Sequence, residues 1–568
     1  MKNIKILYFI LIAILLINIT GCENDDKFLE EKPSTFYTVD NAFSSSTQID
    51  QVLLAIYAQM RDLWANPNEE GWIFVLRGNG TDMFDVPSIR RGNTFNNYGN
   101  INPDNGNFYN IYSTWYQMIS RANLALYAAA QTQISWSSDA EKAYTIAQAK
   151  FFRAFAYKNL AELFGGVPIV EDITIVPAYN YKRATRAETY QYAINELLAI
   201  ENDLPETTTA GGRLVKGAAQ HTLCELYLAL GTQLAAEGKA SEATTAFSQS
   251  VVYGNKVIDG GTYSLMKARY GARKAEAKGN VYWDLFQENN VNYQDGNKEC
   301  IWALQVDYAA YKAEDKKSKL PYSRTYGAVF RDGSSGHLTG TLEDVGGRGI
   351  AQIIPTMYTR DSVYAGKWSD DMRNSDIVLK RNFLGNVKTS AYYNLTVPWS
   401  ILYNNDNNRS LCYPISCKIA TDLYTGLTDG ENRSNLFRDD YFMRLPETIL
   451  LRAEAKQRMG DKAGAAADIN LLRSRANCSY LVTAADVDDK FNLILDERSR
   501  ELVYEECRWN TLLRMGGTIA VERIRKYAFW PEAKATLTFD YNLWPIPQTI
   551  IDTNKDEKLE QNPGWTSR

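Results

Sequence analysis

The sequence predicts a mainly α-helical protein, a tetratricopeptide-like helical-repeat scaffold that carries a loop-rich face. Three observations carry that expectation. Apolar residues recur at three-to-four spacing over long stretches of the first half. Two segments far apart in the chain share one plan of helix, glycine turn and helix. Between them, residues 261–440 are rich in Gly, Asn, Asp, Tyr and Trp, with short apolar runs and no sustained helical face. The expected organisation is 1–21 as a removable leader, 22–260 as an N-terminal helical region, 261–440 as a loop-rich region with short strands, and 441–568 as a C-terminal helical region.

The leader comes first. Lys2 and Lys5 precede the apolar run Ile6 to Ile17, which is too short for a comfortable membrane span and has no stop-transfer flank. In Ile19-Thr20-Gly21-Cys22 the small residues before the cysteine resemble a lipobox, with Ile19 where leucine is more usual. Cys22 is therefore expected to become the lipidated first residue of the mature protein. Several acyl chains of the palmitate type would anchor a soluble domain, since each buried CH₂ contributes ~0.8 kcal/mol. Glu23, Asn24, Asp25 and Asp26 resemble the signal that sends Bacteroidetes lipoproteins to the outer cell surface. An ordinary secretory peptide cut elsewhere is the alternative.

Helices follow. From Ala140 to Phe164, the residues Phe152, Ala156, Leu160 and Leu163 mark one face, and Gly165-Gly166 before Pro168 ends it. Ala187 to Leu204 reads as another helix. Gly217 to Leu234, a turn around Gly238, and Ala240 to Ile258 form a hairpin, with Tyr227, Leu228, Gly231, Ala243 and Phe247 near the small and aromatic positions of a tetratricopeptide repeat. Arg444 to Met459, the turn Gly460-Asp461, and Lys462 to Ala476 repeat that plan, with Ala453, Ala455, Ala465 and Ala466 small enough for close packing. Cys300 to Val306 is a short apolar run in a region that reads as long loops with a few short strands. Arg77 to Phe108 is interrupted by Gly78, Gly80, Gly92, Gly99 and Gly106 and reads as loop. Loops on a rigid helical frame are where binding residues tend to sit.

Composition narrows the function. With 62 Lys+Arg against 67 Asp+Glu, the net charge of −5 lacks the basic footprint of a nucleic-acid binder. The 36 Tyr and 12 Trp supply rings with flat apolar faces and polar edges, suited to wet recognition surfaces. The cysteines after Cys22 are scattered, without a CxxC pair or zinc spacing, so neither a metal nor a cofactor is expected. Whether Cys412 and Cys417, flanking Pro414, form a disulfide stays open. His221 lies in an apolar helical run and reads as a packed structural histidine.

A series of blocks then carries a family resemblance. Phe28-Leu29-Glu30-Glu31-Lys32-Pro33, Arg121-Ala122-Asn123, Ala149 to Ala154 and Leu163 to Pro168 resemble the N-terminal half of the SusD/RagB family, and Gly212-Arg213 with Lys216 to Ala219 fits its next block. Asp371-Met372-Arg373, Arg444-Leu445-Pro446-Glu447, Leu451 to Ala455, Asn470 to Ala476, Asp496-Glu497-Arg498, Arg500-Glu501-Leu502, Glu505 to Trp509, Trp544 to Pro547 and Gln561 to Trp565 resemble its C-terminal half. Cys507 stands where the family usually has glycine, and Trp565 where tyrosine is commoner. The resemblance implies four tetratricopeptide-like units, a lipid anchor in the outer membrane, a face toward the exterior, and no enzymatic activity. It also implies capture of oligosaccharides, or peptides in one branch, for delivery to a SusC-like TonB-dependent transporter.

The expected ligand residues are Trp72, Asp82, Arg90, Tyr98, Trp283, Tyr308, Tyr326, Trp368 and Trp399, chosen for their place in the loops. A sugar has apolar CH faces and polar edges, so exposed rings beside a few hydrogen-bonding groups give moderate affinity and ready release. Two rival readings are a lipid-anchored all-helical glycoside hydrolase and a scaffold that only joins the barrel to other lipoproteins. A hydrolase needs two carboxylates at a set separation. The adjacent acid pairs do not face each other on a helix, and Glu497, Glu501 and Glu505, with Arg498, Arg500 and Arg508 nearby, read as a structural face held by ion pairs and packing against the side marked by Leu495, Leu502 and Trp509. The sequence holds no phosphate loop and no nucleophile elbow.

Overall fold

The computed structural model describes residues 42–64, 77–91, 95, 97–313, 317–339, 348–420, 435–537 and 542–565. The leader, Cys22 and Trp72 lie outside the described residues. Eight long helices pack in chain order, each against the next: α1 (Ser46–Trp64), α2 (Gly106–Ala129), α3 (Asp139–Phe164), α4 (Arg186–Leu198), α5 (Lys216–Ala236), α6 (Ala240–Ile258), α7 (Leu445–Arg458) and α8 (Lys462–Arg475). They make the four successive pairs of a tetratricopeptide-like scaffold. Helix α7 docks on α6 although the whole loop-rich stretch lies between them in sequence.

Local chemistry sets the ends. Ser138 caps α3 by accepting from the Glu141 amide at 3.1 Å, and Gly165 stops it with φ 77°, a left-handed conformation that favours glycine. Thr185 and Glu188 cap α4 reciprocally, each side chain accepting from the other's amide. Gly231 of α5 faces Phe247 of α6 so closely that an added Cβ would stand 2.6 Å from the ring, which accounts for the small residue there. The expected helix to Leu204 ends instead at Leu198, followed by a 3₁₀ turn at Glu201–Asp203 that buries Ile200 and Leu204. Helix α2 was not legible. Gly106, expected to interrupt a loop, is its first residue, capped by Asn105, whose side chain accepts from the Asn107 amide at 3.0 Å.

The loop-rich stretch carries short helical turns and most of three two-stranded antiparallel ladders. β1 (Phe84–Asp85) pairs with β3 (Ile354–Pro355), β2 (Cys300–Leu304) with β6 (Asp440–Arg444), and β4 (Leu379–Lys380) with β5 (Ile415–Ser416). One contiguous apolar cluster runs from Phe43 to Ile546 and joins helices and loops. After α8 come α9 (Asn492–Leu502), α10 (Arg508–Met515) and α11 (Ile519–Tyr527).

The charged face expected through Glu497, Glu501 and Glu505 is buried and paired, but α9 ends at Leu502, so Glu505 lies in the turn after it and Trp509 in α10. Glu501 meets Arg373 at 2.8 Å, Arg444 at 2.7 Å and Arg475; Glu497 meets Arg373 at 2.6 Å and Arg500 at 2.8 Å. Burial alone would raise the Glu501 carboxyl, but Arg475, Arg444 and Arg373 hold it well below the usual carboxylate range. Leu495, Leu502 and Trp509 are buried as expected. His221 is buried with Nδ1 2.7 Å from Thr448 Oγ1. Cys412 and Cys417 are both free.

Candidate ligand-binding site

The β2–β6 ladder leads out of the interior to an aromatic platform. Two residues beyond β2, the Val306 amide donates to Asp439 Oδ1 at 2.7 Å, and Asp439 immediately precedes β6. The Asn292 side-chain amide donates to Asp439 Oδ2 at 2.6 Å, and Gln305 donates to Asn292 Oδ1 at 2.8 Å. Burial pushes the Asp439 carboxyl up to about 6, against these hydrogen bonds, which lower it. The clamp fixes the point from which a one-and-a-half-turn helix, Tyr308–Ala313, departs. Asp307 starts that helix, its carboxylate accepting from the amides of Ala309 at 2.7 Å and Ala310 at 3.2 Å.

The three-residue spacing of Tyr308 and Tyr311 puts both rings on one face of this helix. Their planes are within 16° of parallel and their centroids 6.3 Å apart. Buried Phe437 supports both, at 4.6 Å from Tyr308 and 5.0 Å from Tyr311. Both tyrosines are half-buried, so each ring is held on one side and reaches solvent on another. A charged group borders the rings: Lys319 Nζ lies 5.7 Å from the Tyr311 centroid. The arrangement offers a flat, rigid apolar surface with donors and acceptors at its edge, which suits a ligand having one apolar face and a polar rim.

The other expected ligand residues are placed differently. Asp82 is fully buried, bidentate to Arg508 at 2.6 and 2.8 Å and bonded to Arg523 at 2.9 Å. Burial would raise its carboxyl, but the two guanidinium groups hold it at about 2. Tyr98 is buried and donates to the Gly80 carbonyl. Trp283 is buried beneath Arg273, 4.3 Å from its ring. Tyr326 is buried among Phe84, Tyr322 and Tyr504. These four were expected on loop surfaces and are interior residues instead, because the loops fold back onto the helices; Tyr98 and Tyr326 join the main apolar cluster, and Trp283 a smaller one with Tyr282, Phe286 and Tyr441. Arg90 is exposed. Trp368 is half-buried, with the guanidinium carbons of Arg500 and Arg473 4.2 and 4.6 Å from its ring. Trp399 is half-buried against Tyr403 and Phe383. Tyr308, Trp368 and Trp399 therefore belong to three separate aromatic groups. Sequence reasoning missed Tyr311, Phe437 and Asp439; the i, i+3 tyrosines behind a capping aspartate were the available signal.

Residues 286–565 match the model of the SusD family, and residues 27–228 match a second model described as starch-binding, associating with outer membrane. The starch-binding protein SusD of Bacteroides thetaiotaomicron is 25% identical over 466 residues, covering 76% of this chain and 75% of that protein. Among solved structures, a SusD homolog from B. thetaiotaomicron has a TM-score of 0.70 at 17% identity, covering 93% of this chain and 98% of that one. Surface glycan-binding protein A from B. thetaiotaomicron, in complex with laminarihexaose, has a TM-score of 0.62 at 18% identity, covering 91% and 99%. These structural likenesses bear on the fold.

Proposed function

The chain belongs to the SusD family, and on that premise we propose that it is a surface-exposed, lipid-anchored nutrient-binding protein that captures oligosaccharides. It binds them on the Tyr308–Tyr311 platform, without turnover, and hands them to a SusC-like TonB-dependent transporter in the outer membrane. The observation that carries this reading is the pair of near-parallel tyrosines on a clamped helix over Phe437. A rigid stacking surface loses little conformational entropy on binding, and a few polar contacts at its edge keep affinity moderate enough for release. Cys22 supplies the anchor.

Binding without turnover is supported by the state of the interior carboxylates. Glu501 and Asp82 are each engaged by two or more arginines that hold their carboxyls low, the opposite of a general acid, and Glu497, paired with Arg373 and Arg500, is fully buried away from a ligand. The deciding experiment is calorimetric titration with panels of oligosaccharides and peptides, followed by chromatography of the ligand. Binding to peptides alone sinks the glycan reading, and chain shortening of a bound glycan sinks the non-enzymatic one. The anchor is tested by protease shaving of intact cells with and without Cys22→Ala; the transporter, by gentle detergent extraction and affinity purification with recovery of a partner of barrel size.

A further inference from the structure

A second cavity lies away from the platform, between α2, the segment 168–181 and the C-terminal helix Gln548–Thr553 with the residues after it. Its volume is about 250 Å³. Tyr112, Tyr116, Ile119, Val170, Ile550 and Leu559 make its apolar walls, the two tyrosine rings 5.0 Å apart and inclined by 30°.

Tyr116, Asn123 and Asn554 in the lining are spent on holding those walls together, while Ser120, Asp172 and Thr174 also line it and are exposed. The Tyr116 hydroxyl donates to the Pro168 carbonyl at 2.6 Å. Asn123 donates to the carbonyls of Val170 at 3.0 Å and Asp172 at 3.1 Å and accepts from Arg153 at 2.9 Å. Asn554 accepts from the Tyr181 amide and donates to its carbonyl, each at 2.9 Å. A sugar reaching past those exposed groups to the inner walls would give up its water hydrogen bonds with little return. The mouth extends the apolar surface outward: Thr174 and Ala178 line the cavity, and between them Ile175 and Val176 stand 72% and 71% exposed.

We propose that this cleft is a binding site for a small neutral aromatic molecule of one or two fused rings, distinct from the platform. Size argues for that class, because an apolar cavity of ~150 Å³ holds a benzene ring and this one has room for a second ring. The inclined tyrosines give the flat molecule an offset aromatic neighbour, and the Ile175–Val176 lip lets it leave water along a continuous apolar path.

Indole is the probe. Calorimetry and saturation-transfer NMR on the wild-type protein should show saturable binding with contacts to tyrosine rings. Ala178→Trp, which hangs a ring over the mouth from an exposed position, and Ile119→Phe, which fills the floor, should each weaken indole at least tenfold. Tyr308→Ala should leave it unchanged. Circular dichroism and thermal unfolding identify any variant that fails to fold; Ala178 is exposed, so that variant carries the test if Ile119→Phe does not. No saturable binding by the wild-type protein, undiminished binding by folded Ala178→Trp, or loss of binding in Tyr308→Ala overturns the assignment.

Discussion

The β6 strand links two regions built on opposite terms. At its C-terminal end Arg444 enters an interior where arginines and carboxylates sit fully buried, each charge met by several fixed partners. Just before its N-terminal end Asp439 clamps a short helix whose tyrosines reach solvent. In the interior a charge removed leaves others stranded in a low dielectric, so the residue type at each position is dictated by its neighbours. At the rim a ring removed leaves a patch of water, so its type is dictated only by what it meets outside. Family motifs and the proposed ligand contacts therefore fall in different places, and a motif here reports on folding.

The largest expected effect comes from breaking the interior. Glu501→Ala removes the carboxylate that Arg373, Arg444 and Arg475 share in the interior, and should cost about 3–5 kcal/mol of stability in urea unfolding at pH 7. A loss below about 1 kcal/mol would show that the network does not organise the fold. Acid comes next. Asp82 is held at about 2, below its ordinary value, so its contribution is fully present above the unfolded pKa near 4 and is lost as pH falls from about 4 toward 2. The change is on the order of 2–3 kcal/mol, and Asp82→Asn should flatten that part of the stability profile.

Effects at the rim are smaller and of another kind. Tyr311→Ala should weaken oligosaccharide binding by ~5 to 150-fold, about 1–3 kcal/mol, while the unfolding midpoint barely moves. A variant that unfolds early with unchanged affinity would make Tyr311 a core residue and erase the contrast. The smallest effect tests the clamp. Asp439 is raised to about 6, so its folded form takes up a proton that the unfolded chain does not; the cost of ionising it is absent below pH 4 and complete above about 6. Asp439→Asn should match wild-type stability at pH 4 and exceed it at pH 7, where the relieved ionisation cost of roughly 3 kcal/mol is offset in part by loss of the Asn292 bond, with glycan affinity retained if the amide keeps the Val306 bond.

The sequence made the scaffold legible where periodicity and breakers agreed. Helix α6 has the expected ends, and α3, α5, α7 and α8 lie within two residues of theirs, because apolar faces, glycine turns and capping residues all pointed the same way. Helix α2 was hidden by a glycine at its start and by its place after a glycine-rich stretch. The β1–β3 and β4–β5 ladders escaped because strands of two residues carry no period, whereas the apolar run at β2 was visible. Burial of Asp82, Tyr98, Trp283 and Tyr326 could not be read from local composition, since a ring in a Gly- and Asn-rich loop looks the same whether the loop faces water or folds onto α9 and α10. Ion pairing on α9 was legible from the four-residue spacing of Glu497 and Glu501 with arginines nearby, but its burial was not, since Leu495, Leu502 and Trp509 alone marked the buried side.

Calorimetric titration of a glycan panel into the wild-type protein and into Tyr308→Ala/Tyr311→Ala, with thermal unfolding of both on the same samples, tests the platform most directly. The account predicts saturable binding of at least one oligosaccharide by the wild-type protein, loss of more than tenfold in affinity in the double variant, and unfolding curves that coincide. Equal affinity in the two folded proteins would contradict it.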